Sequence, residues 1–253
     1  MHVVERGTPG ARVLLLHGYA SNAQAWRAVI DRLDGRFQMA AVDLVGFGWS
    51  TRYPTRPLTG DAYAERLAGV LDALGWPVAH VVGQSWGGGL AQRLAVAHPQ
   101  RVDRLVLVAT VDPSRTLWLG TVGLRLGIRF PWLARIAVAR AQRVAARAAG
   151  LRPGELARGY VDPLRLAGTG AFLDRFVAEH GTSSHLDLVR VGAPTLVIGP
   201  LEDRVVLPEI TRSVATRIPN ARYVAVPGAS HSVASEEPEL VADLIANFLG
   251  GER

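Results

Sequence analysis

The 253-residue sequence contains no cysteine and no lysine. Without cysteine the chain can form neither a disulfide nor a catalytic thiolate, so a disulfide-stabilised secreted scaffold is excluded and the cytoplasm is the expected compartment. All 28 basic residues are therefore arginine, and with 22 acidic residues the formal net charge is +6. Nearly half of the residues are apolar, which is ordinary for a globular protein with a sizeable core.

Long apolar runs and metal-ligand spacings are also missing. No apolar stretch reaches the roughly 20 residues that cross a bilayer, and the N-terminus lacks the pattern of a signal peptide. The seven histidines are scattered and form no cluster with zinc-ligand spacing. No loop typical of flavin, nicotinamide or phosphate binding is present, so we expect neither a metal nor a cofactor.

Short apolar strands alternate with helical periodicity along most of the chain. The expected strands are residues 12–16, 37–42, 78–82, 102–109, 194–198 and 221–226. The expected helices are residues 22–33, 61–74, 88–98, 207–217 and 238–249. This alternation predicts an α/β fold whose mostly parallel, doubly wound sheet carries helices on both faces. The first few residues and the tail at 250–253 carry no pattern.

The alternation stops between residues 112 and 185. This segment has no strand pattern, and residues 131–149 have the periodicity of a long helix. We predict a helical cap inserted between two strands, with residues 1–111 and 186–253 forming the core. The segment contains 11 arginines and five acidic residues, so it carries the whole excess of positive charge.

One pentad, Gly83-Gln84-Ser85-Trp86-Gly87, has the G-x-S-x-G pattern of a nucleophile elbow. It lies between a predicted strand and a predicted helix, which is the context that gives the pattern meaning. Glycine is needed on both sides of the serine because a Cβ would clash in so tight a turn. Ser85 is therefore the candidate nucleophile.

A serine nucleophile needs a base, and the base needs a carboxylate partner. His231 follows the strand at 221–226, so it lies on a loop at the same sheet edge as Ser85. Asp203 follows the strand at 194–198 and is the preferred orienting acid. Asp112 follows the strand at 102–109 and is the second candidate, and Glu202 is the third. By contrast, His17 occupies a turn and is interpreted as structural.

The tetrahedral intermediate of acyl transfer carries an oxyanion that needs fixed N–H donors. The backbone N–H of Trp86 opens the helix after the nucleophile, where the helix dipole also favours negative charge. The second donor should come from the loop after the first predicted strand, and we assign it to the N–H of Tyr19. The two side chains are then free to shape the pocket.

These pieces together resemble a capped enzyme of the α/β-hydrolase superfamily. The motifs that carry the resemblance are His17 to Trp26, Asp43 to Ser50, Gly83 to Gly88, His98 to Val102, Gly199 to Asp203, and His231 with Glu236 and Pro238. The chain is similar to small serine carboxylesterases such as the pimeloyl-acyl-carrier-protein methyl ester esterase. The resemblance implies that Asp43 and Ser50 are structural turn residues. Ala20 and Ser230 stand where glycine is common in the family.

The predicted function is a serine hydrolase of an ester, thioester or lactone. An apolar stretch opens the predicted cap, and we expect Trp118 and Trp132 to line a pocket for a largely apolar small-molecule substrate. The arginines of the cap suggest an acyl carrier protein or a coenzyme A thioester as partner. Nucleic-acid binding is not expected, because no recognition motif accompanies the charge. The alternatives are a carbon–carbon bond reaction, acyl transfer, elimination or cyclisation in the same site, or a ligand-binding receptor.

Overall fold

The computed structural model describes residues 1–113, 162–180 and 185–251. Within these residues seven strands form one sheet, in the spatial order β1-β3-β2-β4-β5-β6-β7. They are β1 (His2–Gly7), β2 (Arg12–Leu16), β3 (Gln38–Asp43), β4 (Ala79–Gln84), β5 (Val102–Val108), β6 (Thr195–Pro200) and β7 (Ala221–Val226). Neighbouring strands are parallel except β1, which runs antiparallel to β3. The predicted mostly parallel sheet is confirmed.

The helices of the described residues follow the strands in the expected alternation. They are α1 (Arg27–Leu33), α2 (Gly60–Ala73), α3 (Trp86–Ala97), α4 (Thr169–His180), α5 (Pro208–Arg217), α6 (Val233–Glu236) and α7 (Pro238–Gly250). Short 3₁₀ turns occupy Ala23–Trp26, Pro99–Arg101, Asp162–Arg165 and Leu188–Arg190. Several helices begin at residues that are typical of helix N-termini. The Thr59 hydroxyl accepts from the N–H of Ala62 to cap α2, and a proline opens α5 and α7.

The sheet is covered on both faces because successive strand residues point to opposite sides. In β2, Leu14 and Leu16 belong to the core cluster that includes side chains of α2, α3 and α5. Val13 and Leu15 belong to the second cluster, with side chains of α1 and α7. All four strand residues are fully buried, so β2 is apolar on both faces, as a central parallel strand must be.

The first strand, β1, has no counterpart in the sequence prediction. Most of its residues are exposed, so its sequence shows no buried apolar pattern. Its position is defined instead by backbone pairing with β3 and by two contacts of His2. The His2 N–H donates to Ser50 Oγ at 2.8 Å, and its ring Nδ1 lies 2.7 Å from Asp43 Oδ2. An edge strand held by hydrogen bonds rather than by burial leaves no hydrophobic periodicity to detect.

Asp43, at the end of β3, holds three segments together. It is buried, and its Oδ1 accepts the N–H of Ala23 at 2.7 Å. Its Oδ2 accepts the N–H of Trp49 at 2.8 Å and also faces the His2 ring. The Ser50 hydroxyl donates to the backbone carbonyl of Asp43. Asp43 and Ser50 therefore act as structural residues of this turn, as the resemblance implied.

Arg52 connects this same loop to the segment that precedes α4. The side chain is buried, and its Nη2 donates to the carbonyls of Gly48 at 2.7 Å and Pro163 at 2.8 Å. Its Nε donates to the hydroxyl of Thr169 at 3.2 Å. Burial lowers the pKa of Arg52, while the carboxylate of Asp43 opposes that shift. A buried guanidinium surrounded by carbonyl oxygens therefore holds the start of α4 and the turn before it against the core.

Part of the predicted cap lies outside the described residues. This holds for the predicted helix at 131–149, for Trp118 and Trp132, and for the arginines between residues 125 and 147. The cap boundaries at 112 and 185 stay predictions. Among the described helices, none has the length and apolar character needed to cross a bilayer.

We predict that Asp43→Ala lowers the free energy of unfolding by about 3 kcal/mol, because it leaves the buried N–H of Ala23 and the part-buried N–H of Trp49 without an acceptor. Urea denaturation at neutral pH measures this difference. The matched control is Asp72→Ala. Asp72 pairs with Arg101 at 2.8 Å but is two-thirds exposed, so its loss should cost less than about 1 kcal/mol. Equal losses in the two variants would contradict the structural role of Asp43.

Candidate active site

Ser85 is the single residue between the end of β4 and the start of α3. Its backbone has φ of 54° and ψ of −119°, a combination that residues with a Cβ rarely adopt. The Ser85 N–H donates to the carbonyl of Val108 at 2.9 Å, and the Ser85 carbonyl accepts from Gly89 at 3.1 Å. Hydrogen bonds from β5 and from α3 therefore hold the strained turn. The predicted order of strand, sharp turn and helix is present.

The turn requires glycine because the backbone of α3 approaches β2 closely. A Cβ on Gly87 would overlap the carbonyl oxygens of Leu16 and His17. A Cβ on Gly83 would overlap the carbonyl of Gly87. The glycines of the pentad thus serve close packing, for the reason expected from the sequence.

His231 and Asp203 meet Ser85 at this sheet edge. The Nε2 of His231 lies 3.0 Å from Ser85 Oγ, and its Nδ1 lies 2.7 Å from Asp203 Oδ2. Asp203 is only 3% exposed, and its Oδ1 accepts the N–H groups of Val205 and Val206 at 2.8 and 2.9 Å. One carboxylate oxygen is thus held by the backbone, and the other is left to receive the imidazole N–H. The bond to Asp203 assigns the His231 proton to Nδ1 and leaves Nε2 to accept the hydroxyl proton of Ser85.

The two rival carboxylates are placed differently. Asp112 is buried, and its Oδ2 pairs with Nη1 of Arg217 at 2.7 Å. Glu202 is exposed, and its backbone N–H donates to the carbonyl of Ala229. Of the three candidate acids, Asp203 is the one hydrogen-bonded to His231.

The loop that carries His231 is held by two contacts that sequence reasoning missed. Gln84 Nε2 donates to the carbonyl of His231 at 2.9 Å. The N–H of Ser230 donates to Glu236 Oε2 at 2.9 Å, and its hydroxyl donates to the other oxygen of that carboxylate. Ser230 stands where glycine is common in the family, and its bonds to Glu236 help to hold the loop. The Gln84 contact joins a side chain to a backbone carbonyl 147 residues away, and no sequence signal encodes such a contact.

The proposed oxyanion side of the site is the loop after β2. A Cβ built on Gly18 would lie 3.2 Å from Ser85 Cβ, so this loop passes directly beside the nucleophile. Tyr19 follows on the same loop, and Trp86 is the first residue of α3. Ala20, the residue after Tyr19, has φ of 58°, a conformation in which glycine is more common.

His17 stabilises this loop through hydrogen bonds of its ring. Its ring is fully buried, and its Nε2 accepts the N–H of Leu44 at 3.0 Å. The proton therefore lies on Nδ1, which donates to the carbonyl of Gly18 at 2.7 Å. Burial lowers the pKa of His17, and the charge of Asp43 only partly opposes this shift. His17 is a neutral structural residue, in agreement with its sequence interpretation.

Six aromatic rings pack together around Tyr19 and Trp86. They are Tyr19, Phe47, Tyr63, Trp86, Phe172 and Phe176, which we call the aromatic cluster. Tyr63 donates its hydroxyl to the carbonyl of Val45 at 2.9 Å, and burial raises its pKa. Phe172 and Phe176 come from α4 and were not anticipated, because ring contacts across the fold leave no local pattern. The expected pocket residues Trp118 and Trp132 lie outside the described residues.

A family model described as the alpha/beta hydrolase fold matches residues 11–238, which is most of the chain. The chain belongs to the α/β-hydrolase fold family. The match spans β2 through the start of α7 and includes every residue of the Ser85, His231 and Asp203 arrangement. The chain is accordingly an enzyme of the hydrolase class.

The comparisons with individual proteins agree with this hydrolase assignment. The chain is 33% identical over 250 residues to a 2-hydroxymuconate semialdehyde hydrolase of Pseudomonas putida, covering 95% of this chain and 87% of that protein. It is 29% identical over 251 residues to a poly(3-hydroxyalkanoate) depolymerase of Ectopseudomonas oleovorans, with 95% and 85% coverage. A thermophilic esterase from Thermogutta terrifontis superposes with a TM-score of 0.76 at 25% identity, with 98% and 92% coverage.

We predict that the His17 ring of this hydrolase stays neutral, with its proton on Nδ1, at pH 6. Because burial lowers the pKa in the folded state, the unfolded chain binds a proton there that the folded chain does not. The contribution of His17 to stability is thus complete above the unfolded pKa of about 6.5 and is lost as the pH falls below it. Long-range ¹H–¹⁵N NMR of the imidazole nitrogens reports tautomer and charge. A protonated ring at pH 6, or a proton on Nε2, would contradict the assignment.

Proposed function

We propose that this α/β-hydrolase cleaves an ester, thioester or lactone of a largely apolar acyl substrate through an acyl-enzyme. The observation that carries the proposal is the continuous hydrogen-bond chain from Ser85 Oγ through the His231 imidazole to the buried carboxylate of Asp203. A serine hydroxyl becomes a competent nucleophile when a neutral imidazole accepts its proton as it attacks.

The proposed reaction proceeds in two halves. Ser85 Oγ attacks the substrate carbonyl while Nε2 of His231 accepts the hydroxyl proton. The tetrahedral intermediate collapses, and the imidazolium donates that proton to the departing oxygen or sulfur, which becomes an alcohol or thiol while the acyl group stays on Ser85. A water molecule then attacks the acyl-enzyme while Nε2 of His231 accepts its proton, and that proton passes to Ser85 Oγ as the acid is released. Asp203 stabilises the imidazolium and keeps its orientation throughout.

The oxyanion of each tetrahedral intermediate is stabilised, in this proposal, by the backbone N–H groups of Tyr19 and Trp86. Two features support the choice. The loop of Tyr19 passes beside Ser85, and Trp86 opens α3, whose N-terminus favours negative charge. This scheme uses only protein groups and water to act on the substrate, so it requires no cofactor.

The apolar acyl preference is supported by the partly exposed ring of Tyr19, which follows Gly18 on the loop beside Ser85, because apolar and aromatic walls are typical of small-molecule pockets. The docking of an acyl carrier protein or a coenzyme A thioester on the cap arginines stays a prediction, as do the cytoplasmic location and the narrower likeness to the pimeloyl-acyl-carrier-protein methyl ester esterase.

A second candidate uses the same residues to hydrolyse a carbon–carbon bond beside a carbonyl group. The observation that favours it is the 33% identity over 95% of the chain to a protein named for a semialdehyde rather than for an ester. Parallel assays with p-nitrophenyl butyrate and with 2-hydroxymuconate semialdehyde separate the two candidates. Turnover of the ester at least tenfold more efficient in kcat/KM supports the first, and the reverse preference supports the second.

We predict that an alkyl fluorophosphonate labels the native chain once and does not label Ser85→Ala, as measured by intact mass. The reagent traps an activated serine because its phosphonyl group mimics the tetrahedral intermediate. Ser213→Ala, on α5, is the matched control and should label like the native chain. A folded native chain that takes up no label would overturn the proposed function.

A second comparison tests the identity of the orienting acid. Asp203→Asn should lower kcat by about 10³-fold or more, because an amide in that position favours the wrong imidazole tautomer. Asp112→Asn should leave kcat within about threefold, because Asp112 pairs with Arg217 rather than with His231. Steady-state hydrolysis of p-nitrophenyl butyrate provides both values. A larger loss in the Asp112 variant would reverse the assignment.

A further inference from the structure

One phenylalanine of α4 contacts the side chains of both residues proposed as oxyanion donors. The ring of Phe176 stacks on Tyr19, with centroids 5.6 Å apart and planes at 28°. The same ring meets Trp86 nearly edge-on, at 5.3 Å and 88°. The Tyr19 and Trp86 rings themselves meet edge-on at 6.3 Å. The three rings therefore form a closed set of mutual contacts.

The loop that carries Tyr19 turns tightly, and the N–H of Ser21 donates to the carbonyl of Gly18 at 3.3 Å. Gly18 has no side chain, and Ala20 has a left-handed backbone conformation. Tyr19 is 37% exposed, so one side of its ring is open and the other rests on the aromatic cluster. The direction of the Tyr19 N–H consequently depends on ring packing as well as on the bond from His17 to Gly18.

The N-terminal part of α4 is anchored to the core beneath it. Phe172 packs so closely on Gly46, which has φ of 87°, that a Cβ there would overlap its ring. Arg52 bonds to Pro163 and Thr169 at the start of the helix.

The C-terminal part of α4 is anchored as well. Glu179 Oε2 accepts the N–H of Leu58 at 2.8 Å, and Arg175 donates to the carbonyl of Pro54 at 2.6 Å. Phe176, which lies between these anchors, is only 2% exposed. Its ring is therefore presented to Tyr19 and Trp86 at a defined position.

We propose that Phe176 is a positioning residue that aligns the N–H groups of Tyr19 and Trp86 toward the oxyanion. This inference rests on the proposed function. An oxyanion hole works only when its donors point at the position of the developing charge, so small rotations of these peptides cost rate without affecting substrate binding. The hydrogen bonds among Ser85, His231 and Asp203 do not involve Phe176 and should survive its loss. Helix α4 thereby contributes to the chemical step.

The test compares Phe176→Leu with Phe172→Leu. Phe172 is equally buried on the same helix, and its ring contacts among the described residues are with Phe47 and Phe176. Each variant is assayed with p-nitrophenyl butyrate and with its thiono analogue, in which sulfur replaces the carbonyl oxygen. Sulfur accepts hydrogen bonds weakly, so the ratio of kcat/KM for the oxygen ester to that for the thiono ester reports on the oxyanion donors.

We expect Phe176→Leu to lower kcat by about tenfold, with KM changed less than about twofold, and to reduce the oxygen-to-thiono ratio several-fold. Phe172→Leu should lose comparable thermal stability while its ratio stays at the native value. If Phe176→Leu fails to fold, Phe176→Met retains apolar volume without the ring and should show the same change in ratio.

Three results distinguish failure of this inference from failure of the proposed function. Native ratios in the Phe176 variants, together with normal fluorophosphonate labelling of Ser85, would overturn the positioning role and leave the hydrolase proposal standing. An equal fall of the ratio in the Phe172 variant would also overturn it, because the effect would then belong to helix packing in general. Absence of labelling in the native chain would overturn the proposed function itself and this inference with it.

Discussion

The parallel register of the central strands places the functional loops together. Leu16 pairs with Gly83 across β2 and β4, and Pro200 pairs with Val226 across β6 and β7, so these strands end at one edge of the sheet. The loops that follow them carry Tyr19, Ser85, Asp203 and His231. Residues more than 140 positions apart in sequence meet here because parallel strands bring all their carboxyl ends to the same side. The topology of the sheet therefore brings these four loops together, independently of the contacts between their side chains.

Backbone geometry at the elbow sets the next constraint. Ser85 occupies a strained conformation that hydrogen bonds from β5 and α3 maintain, and Gly87 permits the close approach of α3 to β2. Gln84, which precedes this turn, donates to the carbonyl of His231, so one short segment orients both Ser85 and the loop of His231. Strain of this kind persists only where surrounding contacts over-determine it. The short chain between β4 and α3 meets that condition.

Helix α4 contacts the rings of Tyr19 and Trp86 through Phe176. Arg52 and Glu179 fix this helix to loops of the core. Phe176 therefore packs on the rings of Tyr19 and Trp86 from a fixed position. Aromatic rings are well suited to this task, since they are large and stiff and prefer a few mutual geometries.

The sequence by itself determined the fold class, most element boundaries and the candidates Ser85, His231 and Asp203, because apolar periodicity and the glycine-flanked turn are local properties of the chain. The expected strand at 221–226 matches β7 residue for residue. Only the tertiary structure decided which of Asp203, Asp112 and Glu202 faces the imidazole, because all three follow strands at the correct edge. It also revealed β1 and the contacts of Gln84 and Phe176. Pairing at a sheet edge, a bond to a distant carbonyl and ring packing between remote segments depend on three-dimensional proximity, which residue spacing does not encode.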